Sequence, residues 1–444
     1  MSSYTESVED RILAPLTGSS RPFWIWVGVL LAIVAWGGVA YSIQAREGLV
    51  ATGMRDRIMW GLYVTLFVMF IGASMAGTFV SAVLRLTGAS WRGPIVRSAE
   101  MVTVAALVVA ALFIFFDMGR PERALNIVLF GRWESPLVWD VYGLATYLAG
   151  SLLYLYLAAI PDIAMIRDLV PASQRIRSAA YKAYAVNWVG TPEQRRVLLS
   201  TLGLMAIIMV PVAVMMHTVT SWIFGMTLRE PWNSPMFGIF FVGGAIYSGI
   251  GLIAIMMLIV KKVYRLNDLI TDNHFLKLGY LLATFAALMV FFNVSEFVTL
   301  GYKTSVDASF YISQMTRGSM APIFWIYIWG GLILPIILIA VPKTRNTKGI
   351  VIASIAANVG MLLERYFIVI GGLTVPLNPY EPASYFPTWI EWSLMLAGVA
   401  IFALIITALA KALPIVAIWE LREHEHELEE SKPNTSARVT EGSV

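Results

Sequence analysis

Residues 58 to 84 read IMWGLYVTLFVMFIGASMAGTFVSAVL and contain no charged side chain. An α-helix of about 20 apolar residues crosses the hydrocarbon core of a bilayer, so this stretch is predicted to span a membrane. The same character extends along the chain of 444 residues, of which 58% are hydrophobic and 14% are charged. Soluble domains are about a quarter charged. We therefore predict an all-α integral membrane protein.

Ten apolar stretches of this length are predicted to be transmembrane helices. They run from approximately 22 to 44, 58 to 84, 97 to 118, 137 to 160, 197 to 222, 235 to 260, 275 to 301, 321 to 341, 349 to 371 and 390 to 412. Lys and Arg are concentrated at the N-terminus, after the second, fourth, sixth and eighth helices, and in the tail. Both termini are therefore predicted to be cytoplasmic. This divides the chain into a cytoplasmic segment at 1–21, a transmembrane domain at 22–412 and a charged cytoplasmic tail at 413–444.

The composition excludes several classes of redox site. The chain has no cysteine and only four histidines, so it is predicted to hold no Cys-ligated cluster or zinc-thiolate site. His217 and His274 are predicted at opposite membrane faces, too far apart to bind one haem. The histidines of EHEHELEE at 423–430 are two residues apart, which favours a solvated tail over a metal site. The polar N-terminus has no signal-peptide core, so the first apolar run is expected to remain as an anchor.

Ionisable side chains from several helices are predicted to gather near the outer face of the membrane. A charge in a bilayer costs at least about 2.5 to 3.5 kcal/mol, so such residues are usually paired or functional. The inner halves of these helices are expected to be nearly free of charge. The outer set is Asp117, Asp140, His217, Glu296, Glu364, Arg365 and Glu391.

Some of these charges have simpler interpretations. Glu391 is expected to complete a capping box with Thr388, and Glu364 with Arg365 forms an intramembrane charge network that could merely brace its helix. Asp117, Asp140 and His217 together with Arg120 combine acid, base and permanent cation at one depth. Oxidation of a quinol releases protons as electrons leave, and these residue types could accept them.

The sequence also resembles the polysulfide-reductase membrane-subunit family, called NrfD or PsrC-like, in its ten-helix form. The resemblance covers most of residues 20 to 412. Two stretches look closest to the large membrane subunits of alternative complex III, and HTVTSWIF and ERYFIVIGG also look like the membrane subunit of the dissimilatory sulfite-reductase-associated complex. Met75 and Asp117 stand where alternative complex III subunits often have histidine. The motifs are WGLYVTLFVMFIGASMAGTFVSAVLRL at 60–86, RSAEMVTVAALVVAALFIFFDMGRPER at 97–123, SPLVWDVYGLATYL at 135–148, HTVTSWIF at 217–224, NSPMFGIFFVGGAIYSG at 233–249 and ERYFIVIGG at 364–372.

The resemblance implies a haem-free subunit that binds menaquinone or ubiquinone near the outer face of a bacterial or archaeal cytoplasmic membrane. Its electron partner would be an extracytoplasmic, ferredoxin-like iron-sulfur subunit that serves a molybdopterin-type enzyme or a multihaem cytochrome. No nucleic acid is expected among the partners. The fold is expected to consist of two four-helix-bundle-like units plus additional helices. The expected quinone site comprises Asp117, Asp140, His217, Arg120 and Glu296, with Tyr63 and Trp139 as ring contacts or as interfacial aromatic residues.

Two other functions fit a membrane protein of this composition. A secondary transporter would need polar residues at the midplane and interrupted helices in matched halves. A structural anchor would hold the peripheral enzyme without any redox role. For a quinone subunit, we expect proton release at the outer face rather than proton pumping.

Overall fold

The computed structural model describes residues 7–171, 174–303, 305–376 and 383–422. Within these residues, ten helices are long and apolar enough to cross a membrane, and no strand is present. The ten predicted spans are confirmed, and the EHEHELEE motif lies outside the described residues. The helices are α1 Arg21–Glu47, α2 Leu62–Leu86, α3 Gly93–Asp117, α4 Pro136–Leu169, α5 Pro192–Gly225, α6 Phe237–Val263, α7 Asp272–Tyr302, α8 Ala321–Ala340, α9 Thr347–Thr374 and α10 Trp389–Ala412.

The helices pack as two rings of four. Helices α2, α3, α4 and α5 contact one another in cyclic order and form the first bundle, and α6, α7, α8 and α9 do the same in the second bundle. Helix α2 packs against α6 and so joins the two bundles. Helices α1 and α10 pack against each other, and α10 also packs against α3. The predicted arrangement of two bundles plus additional helices is therefore confirmed.

Small residues set the closest helix approaches. A side chain at Gly77 on α2 would overlap Thr103 Oγ1 and the Ala99 carbonyl of α3. Gly331 on α8 and Gly360 on α9 bring two backbones together in the same way. Because lipid is as apolar as the helix surfaces, tight packing between small residues is a main source of attraction between membrane helices.

Two helices of the second bundle contain wider π-helical turns. In α8 the π segment is Ile326–Ile333, and in α9 it is Phe367–Gly371. Side chains from neighbouring elements bond to the backbone there: the Trp232 indole donates to the Ile368 carbonyl at 2.8 Å, and the Tyr247 hydroxyl donates to the Gly331 carbonyl at 2.6 Å. Such turns are frequent at functional sites, so they direct attention to this bundle.

The first bundle ends in a buried ionic cluster at the opposite end of the bundle from Asp140. The Arg97 guanidinium lies 3.1 Å from Asp162 and 3.9 Å from Glu100, and Arg85 lies 2.6 Å from Glu420. The expectation of nearly charge-free inner halves is wrong. The predicted third and fourth spans began at 97 and ended at 160, whereas α3 begins at Gly93 and α4 continues to Leu169. Arg97, Glu100 and Asp162 therefore lie within helices, whereas Arg85 lies in the last turn of α2.

The segment from Leu413 to Leu421 packs beneath this cluster. Ile415, Val416 and Ile418 are buried, and the backbone N–H of Trp419 donates to Asp162 at 3.2 Å. A short helix before α1, Val8–Thr17, is tied to the same segment, because Arg422 bonds Glu9 through two nitrogens, each 2.7 Å from an oxygen. This contact lowers the pKa of Glu9. Both ends of the described chain thus meet at one face of the bundle.

The contact between α2 and α3 can be tested by adding one methyl group. Gly77→Ala should destabilise the protein by about 1 to 3 kcal/mol, because the new Cβ overlaps backbone and cannot be accommodated by side-chain rotation. The measurement is the thermal unfolding midpoint in detergent. Gly28→Ala on α1 is the matched control, since a Cβ there meets nothing within 4 Å. Equal midpoints for the two variants would contradict the observed helix contact.

Candidate functional site

A carboxylate and an imidazole are buried together in the first bundle. Asp140, in the second turn of α4, and His217 on α5 are each only 2% exposed. The Thr220 hydroxyl of α5 donates to Asp140 Oδ1 at 2.6 Å. Thr220 and His217 are three residues apart, so they lie on one face of α5. Two of the predicted site residues are thus buried in the same bundle, and Thr220, which bonds to Asp140, lies one turn from His217 on α5.

His217 is held between two backbone carbonyl oxygens. Its Nδ1 lies 2.7 Å from the Ala213 oxygen, and its Nε2 lies 3.0 Å from the Ile71 oxygen of α2. A neutral imidazole carries one N–H, whereas an imidazolium carries two, and a carbonyl oxygen only accepts. Both contacts are therefore satisfied as hydrogen bonds only when the ring holds a second proton. In the neutral ring, one of the two nitrogens therefore faces a carbonyl oxygen without a hydrogen to donate.

Tyr147 continues this polar group toward α2. Its ring centre is 6.5 Å from that of His217. Its hydroxyl lies 2.8 Å from Thr78 Oγ1 and 3.2 Å from the Ser74 carbonyl oxygen. We call Asp140, Tyr147, His217 and Thr220 the first-bundle polar group. Its hydroxyl, carboxylate and imidazole side chains can exchange hydrogen bonds with a hydroxyl-bearing ligand.

Asp117 lies in a second place, where α1, α2, α3 and α10 meet. Its Oδ1 is buried and has no hydrogen-bond partner among the described residues. The nearby Tyr63 is fully buried, and its hydroxyl donates to Gln44 Oε1 at 2.6 Å. Glu391 forms the predicted capping box with Thr388. It also accepts the Gly53 N–H at 2.7 Å and the Tyr385 hydroxyl, so it ties the loop before α2 to α10.

Arg120 and Trp139 lie outside both groups. The Arg120 side chain is exposed just beyond α3, and it forms no ion pair with any residue that the structure describes. The Trp139 indole donates to the Trp133 carbonyl. Its ring centre lies 6.3 Å from that of Trp222, a side chain on the outer surface of the bundle. These contacts suit an aromatic residue at the membrane interface.

Glu364 and Arg365 form an ion pair inside the second bundle. Arg365 Nη1 lies 2.9 Å from Glu364 Oε2, and both side chains are fully enclosed. The Arg365 guanidinium also stacks 4.7 Å from the centre of the Phe241 ring on α6. The two charges are neighbours on α9, so their pairing does not join two helices. The stacking of Arg365 on Phe241 is one of several contacts between α9 and α6.

Glu296 lies apart from the first-bundle polar group, in a cleft of the second bundle. Ser234 donates to Glu296 Oε2 at 2.7 Å. Asn293 and Tyr311 line the same cleft with four phenylalanines, and the space between them is about 30 Å³. This volume holds one or two water molecules. Asp140 with His217, Asp117 with Tyr63, and Glu296 therefore lie in three separate places, and Arg120 and Trp139 lie outside them.

Sequence reasoning missed several polar partners that helix periodicity could have identified. Thr220 follows His217 by three residues, and Asn293 precedes Glu296 by three, so each pair shares a helix face. Gln44 and Tyr311 have no such signal, because their contacts depend on helix pairing and on the position of a connecting helix.

Comparison with known proteins finds a matching family model and several relatives. A family model described as "Polysulphide reductase, NrfD" matches residues 50–376. A protein of Halobacterium salinarum, named as a membrane subunit of dimethyl sulfoxide reductase, is 28% identical and covers 88% of this chain and 91% of its own length. A protein of Mesobacillus selenatarsenatis, named as a subunit of selenate reductase, is 23% identical, with coverages of 91% and 96%. The "Hdr-like menaquinol oxidoreductase integral membrane subunit" of Archaeoglobus fulgidus is also 23% identical, with coverages of 90% and 95%.

These relatives are membrane subunits of oxidoreductase complexes, and they align along nearly their whole lengths. The family model alone covers most of the chain, including both bundles. The chain therefore belongs to the NrfD family of polysulphide reductases.

Proposed function

We propose that the chain is the quinone-binding membrane subunit of an electron-transfer complex and that it exchanges electrons between the quinone pool and an extracytoplasmic iron-sulfur partner. The relative from Archaeoglobus fulgidus is named as a subunit of a menaquinol oxidoreductase, which supports menaquinone as the substrate. The chain has no cysteine, so any Cys-ligated cluster that receives the electrons belongs to another subunit.

The observation that carries the proposal is the burial of Asp140 and His217 within one apolar bundle. Oxidation of a quinol to a quinone releases two protons and two electrons. Asp140 and His217 provide one proton acceptor each, and the electrons leave to the partner. The carbonyl oxygens of Ala213 and Ile71 hold the protonated imidazole, and Thr220 orients the carboxylate. General acid–base groups of this kind contribute about 10² to 10⁴ in rate.

The remaining site residues are assigned supporting roles. Asp117, at the end of α3 with an unpartnered oxygen, passes protons toward the outer surface. Arg120, which is exposed beyond it, contributes to partner docking and to the local field. Tyr63 and Trp139 bound the route that the quinone ring takes. Glu364 and Arg365 fix the packing of α9 on α6.

A secondary transporter is less consistent with the helix geometry. Transporters of that type have interrupted helices at corresponding positions of two repeats. Here the π-helical turns lie in α8 and α9, two neighbouring helices of one bundle. A purely structural anchor would take no part in electron transfer, so mutations of the first-bundle polar group would not change the rate of quinol oxidation.

The role of the first-bundle polar group predicts a graded loss of activity. Asp140→Asn and His217→Ala should each lower quinol-dependent reduction of the partner's clusters by about 10² to 10⁴. Thr220→Val, which removes a hydrogen bond to the carboxylate, should lower it by about 10 to 100. The measurement is stopped-flow reduction in the purified complex.

The matched control is Thr218→Val on the same helix. Among the described residues, the Thr218 hydroxyl bonds to the Val214 carbonyl of its own helix, at 2.8 Å, so its loss should leave the rate within about twofold. If both Asp140→Asn and His217→Ala retained the full rate of electron transfer, the assignment of these residues as proton acceptors would be wrong.

The proposed orientation places both termini in the cytoplasm. Because the chain has no cysteine, a single introduced cysteine is a clean probe. Leu228→Cys, after α5, should react with a membrane-impermeant maleimide in intact cells. Gln174→Cys, after α4, should react only after permeabilisation, and the reverse pattern would invert the topology. Both positions are exposed.

A further inference from the structure

The cleft beside Glu296 has polar groups that the protein itself leaves unused. Tyr311 is only 3% exposed, and its hydroxyl forms no hydrogen bond with any residue in the described parts of the chain. Both amide hydrogens of Asn293 are occupied, by the Met289 carbonyl at 2.7 Å and the Tyr327 hydroxyl at 2.8 Å. Its carbonyl oxygen is left to accept. Because the Tyr311 side chain is almost fully enclosed and its hydroxyl has no partner among the described residues, that hydroxyl is free to form a hydrogen bond with a ligand in the cleft.

Tyr311 remains a hydrogen-bond donor over the whole physiological pH range. It lies on the helix Val306–Thr316, which connects α7 to α8 outside the predicted spans. Burial, and then the charges of Glu296 and Glu364, raise the pKa of the Tyr311 hydroxyl. The hydroxyl therefore stays protonated. Glu296 and the Asn293 oxygen, by contrast, are acceptors.

The walls of the cleft match a flat, neutral ring. Phe237, Phe240, Phe297 and Phe367 line it, and none of the described lining residues is Lys, Arg or His. An anionic lipid headgroup would need such a cation, so phosphate is a poor ligand here. Aromatic walls with a few convergent polar groups are typical of sites for ring-bearing small molecules.

One wall of the cleft belongs to a helix with an exposed apolar face. Phe297 is half-buried, and its neighbours on α7, Val294 and Val298, are 57% and 66% exposed on the lipid side of that helix. A molecule with an apolar tail could therefore enter sideways while its tail stays in lipid. The present space of about 30 Å³ is too small for a ring, so Phe240 and Phe297 must rotate on binding.

From these observations we propose that the cleft is a second quinone-headgroup site, separate from the first-bundle polar group. Tyr311 donates a hydrogen bond to one ring oxygen, and Glu296 or Asn293 accepts one from a ring hydroxyl. The proposal rests on the proposed function for its choice of ligand. It assigns binding only, and electron transfer to the partner stays with the first bundle.

The test is photolabelling of the purified complex in lipid nanodiscs with a short-chain azido-naphthoquinone, followed by mass spectrometry of the labelled peptides. Two labelled regions are expected, one around Asp140 and His217 and one around Phe297 and Tyr311. Tyr311→Phe should reduce labelling of the second region about tenfold at sub-saturating probe and leave turnover within about twofold.

Tyr302→Phe is the matched control, because Tyr302 ends α7 and is 90% exposed; its labelling should equal that of the wild type. Labelling confined to the first bundle would overturn the second site and leave the proposed function standing. Labelling of neither bundle would overturn both. Unchanged labelling of the second region in Tyr311→Phe, with an unchanged unfolding midpoint, would also overturn the assigned hydrogen bond.

Discussion

The constraint on which this structure depends is the absence of water in the bilayer core. Every polar group that enters the hydrocarbon must find its hydrogen-bond partner inside the protein. Most hydroxyl side chains here therefore bond to a carbonyl of their own helix, as Thr218 does with Val214. The exceptions are informative: Thr220, His217 and Tyr147 bond across helices. They hold α2, α4 and α5 together and at the same time create a polar interior that lipid-facing helices could not tolerate.

The two bundles resolve this constraint in different ways. In the first bundle an acid and an imidazole share one interior with hydroxyl groups, and in the described structure no ion pair joins them. In the second bundle the buried charges of Glu364 and Arg365 neutralise each other on one helix. Backbone carbonyl groups in the π-helical turns of α8 and α9 accept hydrogen bonds from Tyr247 and Trp232. A paired charge is poorly suited to proton exchange, because its partner stabilises one protonation state. This difference is the physical reason why we propose proton chemistry for the first bundle and ligand binding alone for the second.

The ionic cluster at the other end of the first bundle has a structural consequence. Arg97 and Glu100 are almost fully enclosed, and removing one partner of such a cluster leaves an uncompensated buried charge. The segment from Leu413 to Leu421 closes this end with apolar side chains and with the Trp419 contact to Asp162. The described part of the C-terminal segment is therefore a packed element of the bundle. Within this segment, the apolar residues exclude water from the cluster. Glu420, which follows them directly in sequence, neutralises the charge of Arg85.

The membrane class, the ten spans and the family can all be read from the amino-acid sequence alone. Helix length and apolar composition are local properties, and a stretch such as 58–84 has no other stable environment than lipid or protein. Asp140, His217 and Glu296 are recognisable in the same way as buried ionisable groups, because charges in apolar stretches are conspicuous. Which of these residues meet is a matter of three-dimensional packing. Depth along a helix follows from residue number, but the direction of a side chain around the bundle depends on helix pairing and on close approaches such as Gly77 against Ala99. For that reason residues at one predicted depth divide among three places, and Tyr311 joins Glu296 from a connecting helix that hydropathy does not mark.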